Sequence, residues 1–258
     1  RRAGFTCRDL LIWKTGGGKG SFAKGERRAQ ELIDGIASTI NTKPGEEWLV
    51  VHHLPSKHTV GVAAGVQALL TGDKSKVQFI TWGRHMATNA YAHVKNVVLA
   101  GTLFYRPSQY EALGRLAAGL KPEQGDYPQD SLRRIVNGES RHGILQALCR
   151  ASVRRCDGEQ AHECNAYIIA SIQTGIPDTL PLLFPGCSVV NWKPIKRALS
   201  GKVSEAVEYL RKRFSDTGTT LVKFSEVQKA LGIKNAGTFK NDIRQHEELQ
   251  SELAEMGL

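Results

Sequence analysis

Four short runs of the chain are apolar on both strand faces: W-L-V-V-H-H at 48–53, V-Q-F-I-T-W at 77–82, N-V-V-L-A-G at 96–101 and N-A-Y-I-I-A-S at 165–171. A strand on an open sheet alternates apolar with polar residues, because one face meets water. A run without that alternation is buried on both sides, which is the condition of a parallel sheet covered by helices. The segments between the runs have helical spacing. Ala29, Leu32, Ile33, Ile36 and Ile40 place an amphipathic helix over 26–40. Residues 59–70 suit a second helix, and residues 107–119, with Pro107 and Ser108 in the first turn, a third. Residues 4–13 read as a further short strand and residues 120–131 as a Pro/Gly/Asp-rich loop. Strands alternating with helices predict an α/β domain with a parallel sheet.

The stretch Gly138 to Arg155 carries the clearest functional pattern. On a continuous helix Gln146, Arg150 and Arg154 form one polar stripe at i, i+4 and i+8, while Ile144, Ala147, Leu148 and Ala151 form the buried face. A guanidinium is permanently charged, and its fork of donors matches phosphate oxygens. Two arginines and a glutamine in line therefore suit an anion; the plain alternative is a solvated basic face.

Charge supports the anion. The net charge is +10 with a pI near 9.5, which suits a polyanionic partner. Residues 1–30 hold eight Lys and Arg against Asp9 and Glu26, whereas residues 202–258 hold nine of each sign. The basic excess thus lies in the first 200 residues. The glycine run Gly16-Gly17-Gly18-Lys19-Gly20-Ser21 tempts a phosphate-loop reading. That motif needs a glycine where Trp13 stands and Ser or Thr where Gly20 stands, so a mobile basic loop is expected instead.

The five cysteines form no CxxC pair, which predicts reduced thiols in a cytoplasmic protein. Cys156, His162 and Cys164 fit no zinc spacing, and no metal is expected on the chain. No apolar run approaches a membrane span, and no export signal is recognised. The chain opens on Arg1-Arg2 without methionine, which reads as a piece of a longer protein.

Residues 172–200, with Pro177, Pro181, Pro185 and Pro194, read as irregular. A different module follows: a helix over 203–214, a β-branched strand over 219–224, a short helix over 225–231, the turn Gly232-Ile233 and a helix over 236–250. Helix, L-G-I turn, helix is a helix-turn-helix pattern, and the flanking strand suggests a winged helix. Its candidate nucleic-acid readers are Asn235, Thr238, Lys240, Asn241 and Arg244.

Two segments together resemble the second RecA-like domain of superfamily 2 helicases of the DEAD/DEAH-like type. Residues 77–101 look like the fifth helicase motif, with Gly83, Arg84, Thr88 and Asn89 in its loop. Gln146 to Arg154 looks like the sixth, Q-x-x-G-R-x-x-R, with Gln146 and Arg150 matching. Cys149 replaces its glycine and the last arginine comes one residue late, so Arg154 and Arg155 are both candidates for the finger. The resemblance implies a RecA-like helicase domain over 45–190, preceded by a basic lead-in over 1–44 and followed by a linker at 191–201 and the winged-helix-like module at 202–258.

It further implies the C-terminal motor half of an ATP-dependent helicase or translocase. Gln146, Arg150, Arg154 and Arg155 would serve ATP hydrolysis, and the loop at 83–89 would touch the nucleic-acid backbone. ATP and Mg2+ would be bound mainly by an upstream RecA-like domain, since the chain has neither a phosphate loop nor a D-E-x-H block. The chain alone is then expected to lack ATPase activity. The expected partners are nucleic acid, DNA before RNA, and that upstream domain, with no membrane. The alternative is a non-catalytic nucleic-acid-binding or regulatory protein using the helix-turn-helix.

Overall fold

In a computed structural model describing residues 9–84, 88–123, 125–158, 160–195, 201–217 and 222–256, the apolar runs form adjacent parallel strands. The elements of the first unit, in chain order, are Asp9–Trp13 (β1), Arg27–Asn41 (α1), Trp48–His52 (β2), Val62–Leu69 (α2), Val77–Thr81 (β3), Asn96–Ala100 (β4), Pro107–Ala117 (α3), Gln129–Leu148 (α4), Cys156–Asp157 (β5), Gln160–Ala161 (β6), Asn165–Ile169 (β7), Ile176–Leu183 (α5) and Ser188–Asn191 (β8). Six strands form one parallel sheet in the order β3-β2-β4-β7-β1-β8, and β5 and β6 form a separate small antiparallel pair.

The period of two along each strand divides the core. Leu49, Val51, Val97, Leu99, Ala166 and Ile168 face one side, where Ile144, Ala147 and Leu148 of α4 and Ile176 and Leu180 of α5 cover them. Trp48, Val50, Val98, Ala100, Tyr167 and Ile169 face the other, beneath Leu32, Ile33 and Ile36 of α1 and Val62 and Val66 of α2. Every residue of β2 and β4 is buried, as strands inside a doubly covered sheet must be. Each large apolar side chain so buried contributes roughly 1.5–3 kcal/mol.

Four expectations are corrected. The expected lead-in is, over its described residues 9–44, part of the sheet-bearing unit: β1 pairs with both β7 and β8 inside the sheet, and α1 packs on α2. The proline-rich stretch 172–200 is not irregular, because α5 forms with Pro177 in its first turn and tolerates Pro181 near its end, and β8 adds an edge strand. Helix α4 begins at Gln129, inside the expected loop, and ends at Leu148, well short of Arg155. The chain divides after Ile195, so the unit with the sheet reaches past the expected boundary at 190.

The second unit consists of Gly201–Thr217 (α6), Phe224–Ala230 (α7), Ala236–Thr238 (α8), a π-helical turn Phe239–Arg244 and Glu247–Glu255 (α9). Val207, Leu210, Val227, Phe239, Ile243 and Leu249 form its core. The single helix expected over 236–250 is instead broken, since the π turn stops at Gln245 before α9 begins. Residues 219–221 of the expected strand lie outside the described residues, and its described end has no strand: Phe224 already starts α7.

Candidate functional site

Helix α4 stops because tertiary bonds capture the chain beyond it. The Cys149 N–H closes on the Leu145 carbonyl at 2.9 Å, and Ala151 is then extended. The Ser152 N–H donates to the Val94 carbonyl at 2.9 Å, and its hydroxyl to the Glu163 carbonyl at 2.6 Å. These bonds tie the segment to the approaches of β4 and β7. The expected single stripe is therefore divided. Gln146 stays on the helix, Arg150 lies in the turn that follows, and Arg154 ends a 3-10 turn over Ser152–Arg154. The expected buried face is retained: Ile144, Ala147, Leu148 and Ala151 are all at or below 2% exposure.

The two arginines then do different things. Arg150 is only 9% exposed. Its Nη1 donates to the Thr88 carbonyl at 3.1 Å and its Nη2 to Gln146 Oε1 at 2.6 Å, while its Nε is buried without a partner. Arg154 is exposed, and its Nη1 donates to Asn89 Oδ1. Arg155 is exposed too, its carbonyl accepting the His162 N–H at 2.8 Å. The acceptors of these guanidinium bonds are a carbonyl and two side-chain amides. Such neutral oxygens satisfy donors without cancelling charge, so the cluster keeps its positive potential.

The loop facing them is braced internally. The Thr88 hydroxyl accepts the Ala90 N–H at 3.2 Å, and the Asn89 carbonyl accepts the Ala92 N–H at 3.2 Å. Thr88 is thus a turn-capping residue whose carbonyl also accepts from Arg150. Gly83, at φ +93°, and Arg84 are exposed where the chain leaves β3. His85 lies outside the described residues. His93 is exposed and sits 3.5 Å from a Glu47 carboxylate oxygen.

At the carboxyl ends of β1, β2, β4 and β7 two backbones cross. A Cβ on Gly101, whose φ is +90°, would lie 1.8 Å from the Gly17 carbonyl oxygen. The same oxygen accepts from His53 Nε2 at 3.2 Å. Gly17 is therefore fixed against the carboxyl ends of the strands, while Gly18 to Gly20 of the run stay exposed. Burial holds the imidazoles of His52 and His53 below the usual histidine range; for His53, nearby Lys19 acts in the same direction. Between the ends of β3 and β4 and the helices α3 and α4 lies a cavity of about 250 Å³, with Trp82, Tyr105, Tyr110, Glu139 and Ser140 among its walls. Trp82 closes an apolar run of the sequence, but Tyr105 and Tyr110 carry no motif signal there.

In the second unit Asn235 caps α8, its Oδ1 accepting the Gly237 and Thr238 N–H groups at 2.8 and 3.1 Å. Arg244 lies over the Phe224 ring at 4.8 Å. Thr238, Lys240 and Asn241 are exposed. Asn235 and Arg244 thus have structural contacts, which leaves Thr238, Lys240 and Asn241 as the uncommitted side chains of the expected reader set. Among the described residues no group of three or more His, Cys, Asp or Glu is placed to hold a metal. No helix among them is long and apolar enough to cross a membrane.

No protein-family model matches the chain, and no curated protein matches it. A solved structure titled XPD_APO is similar with a TM-score of 0.47 and 14% identity, over 74% of this chain and 41% of that one. The chain spans less than half the length of that structure's chain.

Proposed function

We propose that this chain is the second RecA-like half of an ATP-dependent nucleic-acid helicase or translocase. The observation that carries the reading is the contact between the two motif-like segments: Arg150 reaches Thr88 across 62 residues of sequence, and Arg154 reaches Asn89 across 65. A motor needs such a joint, because the residues that sense the nucleotide must be mechanically linked to the loop that holds the strand.

Within this reading Arg154 is the phosphate-facing residue and Arg150 the positioning residue. Arg154 is exposed and bound to a neutral amide, which a phosphate oxygen can outcompete as an acceptor. Arg150, buried and bonded on both terminal nitrogens, keeps the loop and the helix end in register. The exposed donors fit the terminal phosphate of a nucleotide, and ATP with Mg2+ would supply the charge that develops there during phosphoryl transfer. The phosphate loop and the metal carboxylates are assigned to a separate RecA-like domain. One arginine at such a position is worth about 10³ or more in rate.

A second reading keeps the fold and drops the chemistry: a non-catalytic nucleic-acid-binding protein. The burial of Arg150 and the turn-capping role of Thr88 favour it. The two readings separate on ATP hydrolysis by the whole gene product with and without single-stranded nucleic acid. The motor reading expects stimulated turnover. Salt-dependent binding without any hydrolysis would leave the second reading in its place.

A further inference from the structure

We propose that the cavity beside Gly83 and Arg84 receives one unpaired nucleobase, stacked on Tyr105 and recognised at its edge by Glu139 and Ser140. The proposal rests on the nucleic-acid reading above and adds to it the point at which a base leaves the strand path.

The cavity measures about 250 Å³ and opens at the carboxyl ends of β3 and β4. Ligands gather at that edge of parallel sheets, where loops rather than helices line the surface. Its aromatic walls differ in character. Tyr110 is 3% exposed, its hydroxyl accepting the Tyr105 N–H at 3.1 Å. Burial raises the pKa of that hydroxyl, so it stays neutral and protonated at physiological pH. The Tyr105 ring stands nearly perpendicular to it, at 66° with 5.6 Å between centroids, and is 43% exposed. One ring is thus a buried brace, and the other offers a free face to a planar heterocycle. Trp82, 9% exposed, also lines the cavity.

The polar groups come from the amino-terminal half of α4. Glu139 is exposed and brings two carboxyl oxygens that can accept hydrogen bonds. The Ser140 hydroxyl donates to the Val136 carbonyl at 2.8 Å and also hydrogen-bonds with the Tyr110 hydroxyl, which leaves its oxygen one acceptor position. This set favours bases that present amino or imino N–H groups. His142 stands at the rim. The strand that carries the base has a place as well. Gly83 has no atom within 4 Å of where a Cβ would stand, so a backbone can approach closely, and Arg84 adjoins it with an exposed guanidinium. Aromatic platforms beside basic backbone contacts are how single strands are held.

The test is fluorescence anisotropy of a labelled single-stranded oligonucleotide bound to the protein, with each nucleotide replaced in turn by an abasic residue. The wild type should lose roughly tenfold in affinity at one abasic position. Tyr105→Ala should cost the same on the intact oligonucleotide and nothing more on that abasic one, while Tyr105→Phe keeps wild-type affinity. Glu139→Gln should change the preferred base without changing affinity for the abasic strand. Equal weakening of intact and abasic strands by Tyr105→Ala, or no weakening of either, overturns the pocket while leaving the nucleic-acid reading standing. Absence of salt-dependent binding to any oligonucleotide by the wild type overturns both.

Discussion

Arg150 Nη1 donates to the carbonyl of Thr88 at 3.1 Å, so a side chain just past the end of α4 fixes the backbone of the loop between β3 and β4. Removing it leaves a part-buried carbonyl and the Gln146 amide oxygen without their charged donor. Arg150→Ala is expected to destabilise the sheet-bearing unit by about 2–4 kcal/mol. Lysine cannot serve both acceptors with a fixed fork, so Arg150→Lys should recover less than half of that. Urea unfolding followed by circular dichroism measures both. An unchanged midpoint for Arg150→Ala would mean the bond is not maintained in solution.

The crossing of Gly17 and Gly101 has no room for a side chain. A Cβ on Gly101 would stand 1.8 Å from the Gly17 oxygen, and the residue's φ of +90° is strained for anything but glycine. Gly101→Ala is therefore expected to cost at least about 3 kcal/mol or to prevent folding. Alanine at Gly18, where nothing lies within 4 Å, is the matched control and should be near neutral. Thermal melts of the two variants decide the point.

The buried histidines set a pH dependence. Both folded-state pKa values lie below the ordinary 6.5, mainly because burial disfavours the imidazolium. A base with a depressed folded pKa binds protons more readily when unfolded. The stability it contributes is complete above about pH 6.5 and is lost as pH falls below that value. The first unit should thus melt at a lower temperature at pH 5.5 than at 7.5, and His53→Gln should flatten that difference. A melting temperature that rises on acidification contradicts the assignment.

The sheet was legible in the sequence because its interior strands cannot hide. Trp48 to His52 and Asn96 to Ala100 have no polar face, and only a doubly covered parallel sheet accommodates that. Strand β8 was not legible, because at the edge of the sheet all four of its residues stay exposed and leave no burial pattern. The end of α4 was hidden for another reason. Local spacing continues the helix through Arg154, but Ser152 finds better partners in Val94 and Glu163, which only the tertiary structure supplies. The approach of Arg150 and Arg154 to Thr88 and Asn89 was legible only as a resemblance of two segments. Of the base pocket only Gly83 and the strand end at Trp82 were legible, since Tyr110 and Glu139 meet through the packing of α3 on α4.

In the proposed motor Arg154 serves the nucleotide and Arg150 the joint, a division that ATP turnover in the whole gene product carrying Arg154→Ala tests most directly. Exposed as it is, Arg154 should be replaceable within about 0.5 kcal/mol of wild-type stability. Nucleic-acid-stimulated kcat should fall by about 10³, with ATP affinity nearly unchanged. Wild-type turnover in Arg154→Ala, with the loss appearing only in Arg155→Ala or in neither variant, would contradict the account.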